Sequence, residues 1–353
     1  MDILVIEIRH NTGRFGSSIV FLLSLWLLLS SSLVHADIRF QLPLSCQPGE
    51  SCWIMHYVDL DPGPGALDMA CNKLTYDGHK GTDFAITDLK EMQHGVSVLA
   101  AASGTVKAVR DGMEDMAVTI TTHHEIDGKE CGNGVLLDHG NGWTTQYCHM
   151  KKDSVQVHPG ERVEAGQSLG LVGLSGETEF PHLHFAVRHL DNVIDPFTGQ
   201  TADAGCRVDK TPLWQDDVVN KLSYRPFVAY NLGFADGPVK ALQVRAGKLR
   251  DFTPTPTSKA LVFWADSIGV YPGDAMTLRL FNPAGEVLAE HTQTFDRFYI
   301  RRFQFIGKKL RSTPWPSGVY RGEIVLTRES DGNKKDYVSV KEVLIQSKDN
   351  HSN

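Results

Sequence analysis

A basic stripe is missing from this 353-residue chain. Its 35 Lys and Arg are outnumbered by 42 Asp and Glu, a mild formal charge of −7, and its two lysine pairs, Lys308-Lys309 and Lys334-Lys335, read as solvated turns. Nucleic acid is therefore not an expected partner. Helical periodicity is scarce as well: from about Leu74 onward short alternating stretches are separated by glycine turns, an all-β pattern. Missing too is a hydrophobic run long enough for a spanning helix. Ile19 to Val34 is rich in Leu, Ile, Val, Phe and Trp but is broken by serines, and it falls short of the roughly 20 apolar residues that cross a bilayer.

That run is preceded by Arg9 and Arg14 and followed by Val34-His35-Ala36 before Asp37, the layout of a secretory signal peptide (1–36) cleaved after Ala36. A membrane contact is expected only if the segment stays uncleaved. Cleavage removes Asp2 and Glu7 together with Arg9 and Arg14, so the formal charge is unchanged. The remaining chain is longer than one hydrophobic core usually spans, so two domains are expected.

All six cysteines, Cys46, Cys52, Cys71, Cys131, Cys148 and Cys206, follow Ala36. An even count in an exported chain favours disulfides over a second metal site. Cys131 and Cys148 flank a hairpin whose turn lies near Gly140-Asn141, which places them on adjacent strands and predicts a bridge beside His149. Six cysteines allow fifteen full pairings; Cys46–Cys52 is a candidate local pair, which would leave Cys71 to Cys206, and the connectivity beyond Cys131–Cys148 stays open.

Three short strings carry the chemistry: His79-Lys80-Gly81-Thr82-Asp83, Tyr147-Cys148-His149-Met150 and Pro181-His182-Leu183-His184-Phe185. Together they supply four histidines and a carboxylate, the ligand chemistry of a catalytic zinc site with imidazoles to spare. On a straight strand His79 and Asp83 would stand roughly 13 Å apart, too far for one metal. Gly81 and β-branched Thr82 argue against a helix, so the spacing predicts a bend or bulge at Gly81. In the third string His182, His184 and Ala186 alternate with Leu183, Phe185 and Val187, a strand with one packed face and both imidazoles on the other.

HKGTDF, YCHM and PHLHF, in this order, resemble the lysostaphin-like (LytM-type) zinc metallopeptidases, which cleave peptide bonds in bacterial cell-wall peptidoglycan. The resemblance runs from roughly Leu74 to Pro196 and includes GVSVLAAASGTVKAV (Gly95 to Val109), GNGVLLDHGNGWTTQYCHM (Gly132 to Met150) and VHPGERVEAGQSLGLVGLSG (Val157 to Gly176). It implies that His79, Asp83 and His184 hold one Zn2+ per chain, with the fourth position open, and that His149 and His182 form the catalytic, non-ligand pair. Zinc would polarise the scissile carbonyl and activate water, one imidazole accepting its proton and the other stabilising the oxyanion. Asn133 resembles a family asparagine beside the metal, which implies a substrate contact. Two positions depart from the family pattern: Cys148, where a small apolar residue is commoner, and Ala186, where an acidic residue is frequent.

The remaining histidines, His94, His123, His124, His139 and His158, read as solvated loop residues, with His139 in the hairpin turn. Residues 37–73 read as a disulfide-held lead-in with turns through Asp61-Pro62-Gly63-Pro64-Gly65, followed by the catalytic domain (74–202) and a polar connector (203–221). Residues 222–348 are expected to form an immunoglobulin-like β-sandwich, with strands at Ala260 to Trp264, Met276 to Phe281, Val319 to Arg328 and Tyr337 to Ile345, the last two around Asp331-Gly332-Asn333. It holds no candidate active site; Trp315 and Tyr299 are expected in its core, and its role is that of a spacer or docking domain. The expectation is a periplasmic or otherwise secreted zinc endopeptidase whose substrate is the peptide part of peptidoglycan and which a regulatory protein partner could control. A zinc peptidase acting on a glycine-rich protein and a non-hydrolytic wall-binding or regulatory protein are the alternatives, and the chain carries no obvious wall-anchoring repeat.

Overall fold

The computed structural model describes residues 38–118, 126–207, 209–311, 314–330 and 332–346. The expected signal peptide, His123, His124, Asp331 and the end of the 222–348 boundary lie outside the described residues. Among the described residues no helix is long and apolar enough to cross a membrane. Residues from Ile38 onward form one compact unit.

The first part of that unit is built from β1 (Cys52–His56), β2 (Thr82–Ile86), β3 (Ser97–Leu99), β4 (Gly104–Arg110), β5 (Asn133–Gly140), β6 (Trp143–Met150), β7 (Arg162–Val163), β8 (Ser168–Leu171), β9 (His182–His189) and β10 (Asn192–Ile194). One short helix, α1 (Leu89–His94), follows β2, its N-terminus capped by the Asp88 carboxylate accepting from the Glu91 N–H, which fills one of the unpaired donors of the first turn. The main sheet runs β1-β2-β9-β6-β5-β4-β7 with β10 beside β9, and β3 pairs separately with β8. The β5–β6 turn has Asn141 at φ 51° and Gly142 at φ 82°, the left-handed pair that an Asn-Gly hairpin turn requires. The lead-in is not separate from the sheet, because β1 lies within it and supplies an edge strand.

Strand β9 lies between β2 and β6, and its register places Asp83 opposite His184, Ala85 opposite His182 and Cys148 opposite His184. Residues paired across strands share a face, so Asp83, His182 and His184 emerge together. The opposite face buries Phe84, Leu183, Phe185 and Tyr147 at 1 % exposure or less. Trp214, from the connector, packs under that face in edge-on and tilted contacts with Phe40, Phe84, Phe185 and Phe197. Cys131–Cys148 is bridged, as the sequence predicted, and of the pairings left open Cys46–Cys52 and Cys71–Cys206 are the ones formed.

The second part follows α2 (Asp216–Lys221) and contains β11 (Val228–Ala235), α3 (Ala241–Arg245), β12 (Ala260–Val270), β13 (Ala275–Phe281), β14 (Val287–Thr294), β15 (Tyr299–Lys309), β16 (Gly318–Ser330) and β17 (Asn333–Ile345). Antiparallel sheets β11-β12-β15 and β14-β13-β16-β17 face each other across Phe263, Leu278, Leu280, Tyr320, Ile324 and Leu326, a β-sandwich. Trp315 joins that core and donates its indole N–H to Ser258 O at 2.8 Å, and Tyr299 packs against it. The sandwich is fastened to the first part: Arg250 grips the buried Asp88 carboxylate at 2.7 and 3.1 Å and also bonds Glu91, while Tyr230 meets Trp53 edge-on.

Candidate metal centre

His79, Asp83 and His184 present ligand atoms that all lie within 4.8 Å of one another. The chain bends at Gly81 between His79 and the start of β2, which brings the two ends of the His-x-x-x-Asp string together as the spacing required. A Cβ at Gly81 would lie 2.6 Å from His184 Nε2 and 2.8 Å from Phe185 O, so glycine is needed there for close approach. His79 Nε2 is 3.2 Å from Asp83 Oδ1 and 3.2 Å from His184 Nδ1, and His184 Nδ1 is 2.9 Å from Asp83 Oδ1. A tetrahedral cation with bonds of about 2.0–2.1 Å separates its ligand atoms by about 3.3–3.4 Å. The triangle is a few tenths of an ångström tighter than that edge, and two imidazole nitrogens face each other across a carboxylate oxygen, so the donor set fits one small N/O-bound cation.

Neighbouring groups orient the donors. His79 Nδ1 donates to Tyr57 O at 2.7 Å, which leaves the Nε2 lone pair for the centre. His56 Nδ1 donates to Asp83 Oδ2 at 2.8 Å, so the other carboxylate oxygen faces the two imidazoles. Burial opposes ionisation of Asp83, yet His79 and His182, with hydrogen bonds from His182 and His184, outweigh it and hold the carboxyl well below its ordinary range. Burial likewise opposes protonation of His79, but Asp83 overcomes it and raises that imidazole, whereas at His184 burial wins and lowers it. A cation takes the place of such protons when it binds.

His149 and His182 flank the triangle. Their rings are 4.7 Å apart, and His182 Nε2 is 3.4 Å from Asp83 Oδ1. His149 Nδ1 donates to Ser175 O at 2.8 Å and His182 Nδ1 to Phe180 O at 2.9 Å, which leaves the Nε2 of His149 free and that of His182 turned to Asp83. Burial, reinforced by His182 and His184, keeps His149 well below the ordinary imidazole value, so it is neutral at pH 7. Its backbone adopts φ 61°, a left-handed conformation costing of order 1 kcal/mol or more. Two constraints hold it: the His149 N–H donates to Cys131 O at 2.8 Å, and the Cys131–Cys148 bridge ties the preceding residue to the same partner.

Of the other residues singled out, Asn133 bonds to Met113, Met150 and Ser175. It is fully buried, its amide donates to Met113 O and Met150 O at 2.8 and 3.2 Å, and its Oδ1 accepts from the Met113 N–H at 2.8 Å. Its backbone N–H donates to Ser175 Oγ at 2.9 Å, so it braces the residue whose carbonyl orients His149. His139 is neither in the turn nor solvated: it lies in β5, bonded to Ser103 O and Thr145 Oγ1. His94 and His158 are exposed. Ala186 sits opposite Gln146 on the site's face of the sheet.

The sequence profile of peptidase family M23 matches residues 77–196, a span holding His79, Asp83, His149, His182 and His184. This stretch, about a third of the chain, is a peptidase family M23 domain. Its M23 domain is 34 % identical over 107 residues to the peptidoglycan DD-endopeptidase ShyA of Vibrio cholerae, covering 30 % of this chain and 19 % of that protein. It is 33 % identical over 100 residues to the murein hydrolase activator EnvC of Escherichia coli, covering 28 % and 22 %. Among solved structures, the catalytic domain of lysostaphin from Staphylococcus simulans aligns at 26 % identity and a TM-score of 0.26, covering 34 % of this chain and 77 % of that one. The chain thus spans about a fifth of the length of these curated relatives.

Sequence reasoning missed two residues at the M23 site, His56 and Tyr76, both outside the matched span. Tyr76 lies over the His79 ring with centroids 4.5 Å apart and is 52 % exposed. Neither occupies a recognisable ligand spacing. His56 could have been found only from its pairing with β2.

Proposed function

We propose that this protein is an exported zinc-dependent endopeptidase that hydrolyses peptide bonds of peptidoglycan. The observation that carries the reading is a three-residue N/O donor set bordered by two further imidazoles, each pinned to a backbone carbonyl through Nδ1. A structural zinc is usually closed by four protein ligands, whereas hydrolytic sites keep one position open. His79 Nε2, Asp83 Oδ1 and His184 Nδ1 would hold the zinc, which supplies Lewis-acid polarisation of the scissile carbonyl and acidification of water. Of His149 and His182, both pinned through Nδ1, one would accept the water proton at the Nε2 of its neutral form, and the other would donate toward the developing oxyanion when it carries a second proton, on Nε2. Neutral His149 can accept a proton at physiological pH. Tyr57 O and Ser175 O hold the Nδ1 protons of His79 and His149, which leaves the Nε2 lone pair of the first for the metal and that of the second for the water proton.

Export is supported by the three disulfides, since such bridges persist in oxidising compartments. The similarity to ShyA favours peptidoglycan over a glycine-rich protein as substrate, and the similarity to EnvC favours the alternative of a regulator of wall hydrolysis. The full set of His and Asp donors favours hydrolysis. The sandwich is assigned the role of a spacer or docking surface for the wall or a regulatory protein. Purified sacculi incubated with the protein should release muropeptides, lose that release with chelator and regain it with zinc. Cleavage of a glycine-rich protein without muropeptide release would move the substrate to protein, and no cleavage of either by zinc-loaded protein would favour the regulator.

A further inference from the structure

We infer that His56 is a positioning residue for the metal centre and that the His56-Tyr57 dipeptide, where β1 ends, clamps two of its three donors. This rests on the reading of His79, Asp83 and His184 as zinc ligands. The register of β1 on β2 runs Cys52 to Ile86, Trp53 to Ala85 and Ile54 to Phe84, then shifts so that His56, not Met55, opposes Asp83. The extra residue is a β-bulge, a device that re-aims a side chain. Without it Met55 would oppose Asp83. With it, Met55 is buried in the core at 2 % exposure and His56 Nδ1 reaches Asp83 Oδ2 at 2.8 Å.

The next residue completes the clamp. Tyr57 offers its carbonyl to His79 Nδ1 at 2.7 Å, and the Tyr57 N–H donates to Leu74 O at 2.8 Å. One dipeptide therefore fixes the carboxylate oxygen not used for ligation and the tautomer of one imidazole. Partners of this kind orient ligands and hold them against the loss of order that an empty, flexible donor set would have to repay on binding. Strand β1 is itself anchored by the Cys46–Cys52 bridge at its start. His56 also touches Tyr76 and Phe180, with ring centroids 5.2 and 6.2 Å away, so packing has to be separated from hydrogen bonding. The clamp lies N-terminal to residues 77–196, so the family-matched domain is completed by a residue outside it.

Two variants divide the contributions. His56→Phe keeps the ring and deletes the donor, whereas His56→Asn keeps an N–H at the same distance from Cβ as Nδ1 and deletes the ring. Zinc affinity of the full chain is measured by competition with a chromophoric chelator, with His79→Ala as the control for the ligand reading. His56→Phe should weaken zinc binding about 10- to 100-fold and His56→Asn should stay within about threefold of the unaltered protein. Equal weakening by both, loss only in His56→Asn, or no change in His56→Phe overturns the clamp. If His79→Ala retains full affinity, the ligand reading itself fails and the clamp with it. Unfolding midpoints of the metal-free variants show whether either substitution merely unfolds β1: a drop in His56→Phe that accounts for its weakened binding counts against positioning.

Discussion

Asp195 follows β10 and is fully buried, with Oδ1 accepting from the Phe197 N–H at 3.2 Å and Oδ2 lacking a hydrogen-bond partner. Burial raises its carboxyl from an ordinary 3.8 to about 6, against opposing hydrogen bonds from Phe197 and Thr198 and the charge of Lys210. The folded protein thus keeps this proton up to about pH 6, while the unfolded chain releases it near pH 4. Stability from this group is present in full below the unfolded value and is lost as pH rises through the folded one. At about 1.4 kcal/mol per pH unit of separation, the total is about 3 kcal/mol, of which roughly 2 kcal/mol disappears between pH 4 and pH 7. Asp195→Asn cannot ionise, so its stability relative to the unaltered protein should rise by roughly 2 kcal/mol across that interval, whatever constant offset the amide introduces. Urea titrations of both proteins at pH 4, 5, 6 and 7 and equal zinc concentration read this directly, because metal-linked stabilisation is common to both and cancels. A difference that is flat with pH, or that falls, would refute a raised Asp195.

Loss of either flanking imidazole, in His149→Ala or His182→Ala, should lower kcat/KM on a peptidoglycan substrate by about 10²–10⁴-fold, the ordinary contribution of a positioned proton-transfer group; a fall of less than tenfold in either removes it from the pair. Replacing both Cys131 and Cys148 by Ser should cost about 3 kcal/mol from loop closure over a separation of 17 residues, against about 5 kcal/mol for the 135-residue separation of Cys71 and Cys206. The first substitution should also depress kcat, since it releases the backbone before His149, and denaturant titrations with parallel turnover measurements check both parts. Arg250→Ala strands the buried Asp88 carboxylate between the sheet and the sandwich and should lower stability by about 1–3 kcal/mol. Restoration by Asp88→Asn in the same chain would confirm that the stranded charge is the cause.

The centre was legible because its geometry is local. Alternation along Pro181 to Val187 fixes which way His182 and His184 point, and the impossibility of one metal spanning a straight His79–Asp83 segment demands a bend at Gly81. The Cys131–Cys148 pairing followed in the same way from a hairpin turn. His56 was not legible, since its place depends on a one-residue bulge in the pairing of two strands separated by 25 residues of turns, from His56 to Thr82. Asn133 matched a family pattern, and its bonds to Met113, Met150 and Ser175 follow from strand pairing and loop packing that no motif encodes. In the sandwich β14 escaped notice because Val287–Thr294 is an edge strand with no residue buried. Exposed Val338 and Val340 blur the alternation of β17, so its inner face could not be told from its outer one by periodicity.

The most direct test of the metal centre is elemental analysis of zinc in the purified full chain beside His184→Ala and His149→Ala. The account predicts about one zinc per chain in the unaltered protein and in His149→Ala, and almost none in His184→Ala. Zinc retained by His184→Ala, or lost from His149→Ala to the same degree, would contradict the division of these histidines into ligands and catalytic neighbours.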